Sequence, residues 1–162
     1  MNNPPIFWAP SQVVLIVTAG LLFYVALTDL KTFRIRNEIV GLLAGLFLLY
    51  SVLSGEWVLL PGRIGFAAAM FIILLLAYGR GALGGGDVKM LTVAFMWTGG
   101  ENALLFAVSL LGFSLIHIIA AKLKWVRSTA KDGRPRIAYA PSIAGALVVT
   151  LMVTSLTSFA HQ

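Results

Sequence analysis

Cysteine is absent from the 162 residues. The chain therefore forms no disulfide, carries no thiol nucleophile and builds no zinc site on thiolates. Histidine is nearly absent: His117 and His161 are the two copies, too few for a histidine-rich metal site. Charge is scarce as well. Twelve Lys and Arg and six Asp and Glu make up 11% of the chain, against roughly 25% in soluble domains. So few charges cannot clothe a soluble globule of 17.4 kDa. The opening stretch MNNPPIFWAPSQ holds no Lys or Arg, so the basic n-region of a cleavable secretory signal is missing. What is plentiful is apolar surface, at 59% of residues with a mean hydropathy of +0.93. Intrinsic disorder, which needs low hydrophobicity, is excluded by the same figures.

An integral membrane protein remains, expected to form a single membrane-embedded domain over 1–162. A membrane-crossing helix needs roughly 20 mostly apolar residues. Candidate runs lie at about Gln12–Asp29, Ile39–Leu53, Ile64–Tyr78, Val88–Trp97, Ala103–Ala121 and Ser142–Phe159. The fourth is the shortest. The runs are continuously apolar rather than alternating, which argues against a β-barrel. The expected class is all-α: a bundle of about six transmembrane helices, the first retained.

The basic residues orient this bundle. Lys31, Arg34 and Arg36 follow the first run, Arg80 and Lys89 surround the start of the fourth, and Lys122, Lys124, Arg127, Lys131, Arg134 and Arg136 follow the fifth. With six spans, eleven of the twelve cations fall on one side and Arg63 alone on the other. By the positive-inside rule the crowded side is cytoplasmic and both termini are outside. Without the fourth helix as a span, the third basic loop would fall on the wrong side. The net charge of +6 is thereby explained by cytoplasmic loops and anionic lipid, with no nucleic acid required.

Six acids are left to carry chemistry. Glu56, Glu101 and Asp132 fall in loops and Glu38 opens the second helix. Asp29 closes the first run after VALT, and Asp87 follows a glycine run and leads into the fourth. Two crossings separate these aspartates, so parity returns them to the same face at similar depth. A carboxylate at the edge of hydrocarbon is costly unless paired or hydrated. Two neighbouring carboxyls cannot both ionise, and the resulting shared proton is what an aspartic protease uses. A Ser/His/Asp set would need His117, which sits within the fifth helix. The plainer alternatives are that Asp87 caps the fourth helix and that Asp29 is an interfacial charge paired with Lys31. The second is weakened because the helix dipole disfavours an acid at a C-terminal end.

Glycines 79, 81, 84, 85 and 86 crowd the segment GRGALGGGDVK. Glycine reaches backbone angles closed to other residues and permits close approach of a second chain, so an extended peptide could lie there. A flexible connector is the simpler alternative. Among the other marked residues, Lys89 either acts on Asp87 or substrate or anchors topology. Asn37 is expected to cap the second helix, and His117 to be a hydrogen-bonded bundle residue. Trp8, Trp57, Trp97 and Trp125 are expected in interfacial belts, and the basic loop Lys122–Arg136 against lipid.

Gly84-Gly85-Gly86-Asp87 fits the Gly-x-Gly-Asp motif of polytopic aspartic proteases. GALGGGDVKM, together with Asp29 in ALTDLKTFRIRN and the late RIAYAPSIAGA, resembles the type IV prepilin peptidases. The short form is most similar to those of tight-adherence (Flp) pilus systems. One departure is Arg36, where the family commonly has Pro. The cysteine-bearing cytoplasmic domain of larger members is missing, which leaves N-methylation of the product without a basis. The resemblance implies Asp29 and Asp87 as catalytic acids, with Gly84 and Gly86 shaping the loop; Gly85 within the run and Lys89 just after it are further candidates for shaping the loop or meeting substrate. No metal or cofactor is expected, because the sequence offers no convincing ligand set. The implied substrate is a pilin precursor with a short basic leader, cut at the cytoplasmic face of a bacterial inner membrane. The alternatives are a presenilin-like intramembrane protease, or a small proton-coupled transporter using the two acids as a relay; no internal repeat of the kind transporters show is visible.

Overall fold

The computed structural model describes residues 10–123, 129–131, 134–136 and 138–160. Among them six α-helices appear: α1 Pro10–Thr32, α2 Asn37–Leu53, α3 Leu60–Gly79, α4 Gly85–Thr98, α5 Ala103–Lys122 and α6 Ala140–Ala160. A single 3-10 turn, Glu56–Leu59, leads into α3. Between α5 and α6 lies a short antiparallel ribbon, β1 Thr129–Lys131 against β2 Arg134–Arg136, in the register Thr129 to Arg136. From sequence the segment is expected to be a basic loop, so the ribbon is a small addition to an otherwise helical fold. The residues between its strands, Asp132 and Gly133, lie outside the described residues.

Four segments are long and apolar enough to cross a membrane: Pro10–Thr32, Glu56–Gly79, Ala103–Lys122 and Ala140–Thr157. Helix α2 is shorter at 17 residues, and α4 has 14. At 1.5 Å per residue α4 is about 21 Å long, less than the roughly 30 Å of a hydrocarbon core. Its surroundings explain how so short a helix is accommodated. Helix α4 packs against α2, α3, α5 and α6, and Val88, Met90, Leu91, Val93, Ala94, Phe95, Trp97 and Thr98 are all buried. Protein rather than lipid is its solvent. By contrast α3 buries Ala67 alone, and Ile72, Ile73 and Leu76 face outward. On a water-soluble protein such apolar surface would be a liability; towards lipid it is the ordinary state.

Helix α1 shows how the sequence writes its inward face. Its buried residues are Val14, Thr18, Leu22, Val25 and Asp29, spaced by three and four, which is one stripe of an α-helix. Asp29 ends that stripe and so points into the bundle. The matching stripe of α2 is Ile39, Leu43, Phe47 and Ser51. The buried hydroxyls of Thr18, Ser51 and Thr150 donate to carbonyls one turn earlier, at 2.8, 3.0 and 2.9 Å. Each is therefore satisfied within its own helix, as a water-free environment demands.

An aromatic cluster fills the centre. Trp97 meets Phe47 and Tyr50 with ring centroids 5.7 and 5.5 Å apart, and Phe95 meets Phe66 and Phe106 at 5.8 and 5.3 Å. Trp97 Nε1 donates to the Leu43 carbonyl at 3.1 Å. The placement of Trp97 in an interfacial belt is thus corrected: it is a core residue whose polar edge is satisfied by α2. Trp57 is exposed; Trp8 and Trp125 lie outside the described residues.

Candidate active site

The C-terminal end of α1, the N-terminal ends of α2, α4 and α6, and the C-terminal end of α5 converge at one end of the bundle. Asp29 lies in the last turn of α1 and is 4% exposed. Its Oδ2 accepts the backbone N–H of Ala140 at 3.1 Å. Ala140 is the first residue of α6, so its N–H is one that the helix itself leaves unpaired. Pro141 in that first turn suits a helix start. The sequence objection to an acid at a helix C-terminus is answered here. Asp29 opposes the dipole of its own helix but lies at the positive N-terminal end of another. The pairing of Asp29 with Lys31 is not found: among the described residues no ion pair includes Asp29.

Asp87 is half-buried and stands third in α4. Gly84 occupies the N-cap position, and Asp87 Oδ2 accepts its N–H at 3.3 Å. Asp87 is therefore not the N-cap residue; it reaches back to the cap from within the first turn.

The glycine run serves this arrangement by closeness rather than by backbone angle. Of Gly79, Gly81, Gly84, Gly85 and Gly86, Gly81 has a positive φ, 74°. Gly84 has φ −78°, open to any residue. A Cβ on Gly84 would come 2.8 Å from Asp87 Oδ2, and one on Gly86 would come 3.3 Å from Ile35 Cβ. A Cβ on Gly85 would meet Tyr78 at an ordinary 3.6 Å. A side chain at either outer position of Gly-x-Gly-Asp would thus press on Asp87 or Ile35, while one at the middle position would make ordinary contact. Ile35 lies in the turn joining α1 to α2, six residues after Asp29. Its seat on Gly86 brings the segment following one aspartate against the residue preceding the other.

Lys89 and Asn37 add a second tie. Lys89 Nζ donates to Asn37 Oδ1 at 2.9 Å, joining α4 to the start of α2. The expectation that Asn37 caps α2 is corrected: Arg36 holds the N-cap position without a side-chain cap bond, and the Asn37 side chain is engaged by Lys89. Glu38 pairs with Arg36 at 3.2 Å on the surface.

His117 also departs from expectation. Its Nε2 is buried and has no hydrogen-bond partner among the described residues. It sits within electrostatic reach of Asp29. One turn earlier on α5, Ser114 Oγ donates to Tyr139 Oη at 2.9 Å. The sequence reading did not single out Ile35, Ser114, Tyr139 or Ala140. The visible signals were the late RIAYAPSIAGA stretch and the three-residue spacing of Ser114 and His117, which places them on one helix face. Among the described residues, no three His, Asp or Glu side chains gather so as to hold a metal ion.

The chemistry open to this end is proton transfer by carboxyls. Asp29 is shielded from solvent and held by an uncharged donor, so it can exchange a proton without first breaking an ion pair. A family model described as the type IV leader peptidase family matches residues 16–158, and the chain belongs to that family. The match takes in both aspartates, the glycine run and nearly all of α6. No curated protein and no solved structure matches the chain. With family and apolar helices together, the chain is a membrane-embedded peptidase acting on a protein substrate.

Proposed function

We propose that this member of the type IV leader peptidase family is an aspartic endopeptidase whose acids are Asp29 and Asp87. The reading places it in a bacterial inner membrane with six crossings, both termini outside and the two acids at the cytoplasmic face. Its substrate is a pilin precursor of the Flp kind, cut between a short basic leader and an apolar helix. The observation that carries the proposal is the joining of the two aspartates' segments through Ile35 on Gly86, with Asp29 buried at the end of an otherwise apolar stripe.

The reaction follows from that pair. One carboxylate, ionised, takes a proton from a water molecule, and the water oxygen attacks the scissile carbonyl. The other, neutral, donates its proton to the carbonyl oxygen as the tetrahedral centre forms. Collapse of that centre breaks the C–N bond. The leaving amine takes the proton that the first acid acquired, and the second acid recovers its own from the diol. The pair thus ends as it began, one proton shared between two acids.

The test is co-expression with a leader-bearing Flp-like pilin precursor, with leader removal read by mass spectrometry of the pilin. Cleavage between leader and apolar helix is expected from the wild type, and none from Asp29→Asn or Asp87→Asn present in the membrane at equal amount. Near-normal processing by either variant would remove that acid from the mechanism.

A further inference from the structure

Two buried polar atoms near Asp29 have no hydrogen-bond partner among the described residues: Nε2 of His117 on α5 and Oγ of Ser142 on α6. Ser142 is two residues beyond Ala140, whose N–H holds the Asp29 carboxylate. His117 is one turn beyond Ser114, whose hydroxyl is bonded to Tyr139, the residue before Ala140. The face of α5 bearing His117, the start of α6 and the last turn of α1 therefore meet at one corner, with Asp29 held there by Ala140.

A buried imidazole nitrogen without a partner carries a desolvation cost. Leucine at position 117 would fill similar space in an apolar helix without that cost. Packing therefore does not account for histidine here. The carboxylate of Asp29 is an acceptor at the same corner: Ala140 engages Oδ2, and among the described residues no further hydrogen bond to this carboxylate is found.

We propose that His117 is a positioning residue that acts through Asp29, its Nε2 closing on the second carboxylate oxygen when substrate is bound. At rest no hydrogen bond to Nε2 is found among the described residues, and catalytic contacts commonly tighten in the substrate complex. With Ala140 on one oxygen and His117 on the other, the carboxyl plane of Asp29 is fixed relative to the attacking water. The inference rests on the peptidase reading given above.

Two variants of the full chain test it, assayed in detergent on a leader-bearing pilin precursor. His117→Leu keeps the volume and removes the nitrogen; His117→Gln returns an amide nitrogen near the position of Nε2. For the leucine variant, kcat is expected to fall on the order of 10- to 100-fold while KM stays within about twofold. The glutamine variant is expected to recover to within about fivefold of wild type. A leucine variant with wild-type kcat overturns the proposal, as does a glutamine variant no better than leucine. A second measurement does not depend on cleavage. With 15N-labelled histidine, Asp29→Asn is expected to displace the imidazole resonances of His117 and leave those of His161 in place; unmoved His117 resonances overturn the proposal. Should the wild type cleave no precursor, the peptidase reading fails, and the resonances still decide whether His117 and Asp29 act together.

Discussion

At one end of the bundle Arg63 sits between two carboxylates, 2.8 Å from Glu56 and 2.7 Å from Glu101. At the other end Asp29 is buried against a backbone N–H. Both solve the problem of carboxylates near an apolar core, in opposite ways. The planar guanidinium offers donors in a rigid fork that holds two acids at once, and it ties the turn before α3 to the segment between α4 and α5. Asp29 receives a neutral donor at a helix N-terminus in place of a cation. Among the described residues, Glu56 and Glu101 share a cation, whereas Asp29 is in no ion pair and rests on a backbone amide.

Substitutions should separate the two ends by what they damage. The largest effect is expected from Asp29→Asn and Asp87→Asn: a fall in cleavage of about a thousandfold or more, since each would remove a proton-transfer group worth roughly 10²–10⁴. Membrane abundance of each variant should stay close to wild type. At the clamp the pattern should reverse. Arg63→Met leaves Glu56 and Glu101 facing one another, and thermal unfolding in detergent should show a loss of about 1–3 kcal/mol, discounted from the fully buried case because both glutamates are partly exposed. The specific activity of the folded fraction should remain within about twofold of wild type, the active end being untouched. A clamp variant that folds normally and does not cleave would dissolve the distinction between the ends.

Smaller effects test the glycine run. Gly84→Ala pushes its methyl into the carboxylate of Asp87 and should lower kcat by about tenfold, because small displacements of a reacting group are expensive. Gly86→Ala should do the same through Ile35, more mildly if that side chain can shift. Gly85→Ala should be within about twofold of wild type, meeting only ordinary packing contact. Equal losses at all three positions would mean that the run acts through flexibility instead. Least of all is expected from Lys89→Met, which removes one exposed hydrogen bond to Asn37 and should cost about 0.5–1 kcal/mol of stability.

Much of the helical layout was legible because the apolar runs are long and their ends are punctuated. The run Ala103–Ala121 became α5 Ala103–Lys122, and the run at Ile39–Leu53 became α2 from Asn37. Asp29 and Asp87 were legible as unusual because so few charges compete for attention. What the sequence concealed is tertiary. Trp97 near a helix end reads as an interfacial anchor until α2 is packed against it and its indole finds the Leu43 carbonyl. Asn37 reads as a cap until Lys89, 52 residues away, takes its oxygen. The glycines read as room for unusual backbone angles or for an approaching substrate chain, and the neighbours of Gly84 and Gly86 are instead this chain's own Asp87 and Ile35. His117 reads as a residue deep in α5, and its relation to Asp29 appears only once α1, α5 and α6 meet.

The bond between Asp29 and Ala140 spans 111 positions of sequence, and that separation bears on biosynthesis. Helix α1 is the first of the six to leave the ribosome and α6 the last. Until α6 has entered the membrane and packed, Asp29 has no amide to hold it, and α4 lacks one of the neighbours that wrap it. A nascent chain halted before residue 140 carries both aspartates and the whole glycine run, with Asp29 unheld. The fold thereby makes the seating of Asp29 wait on the arrival of α6.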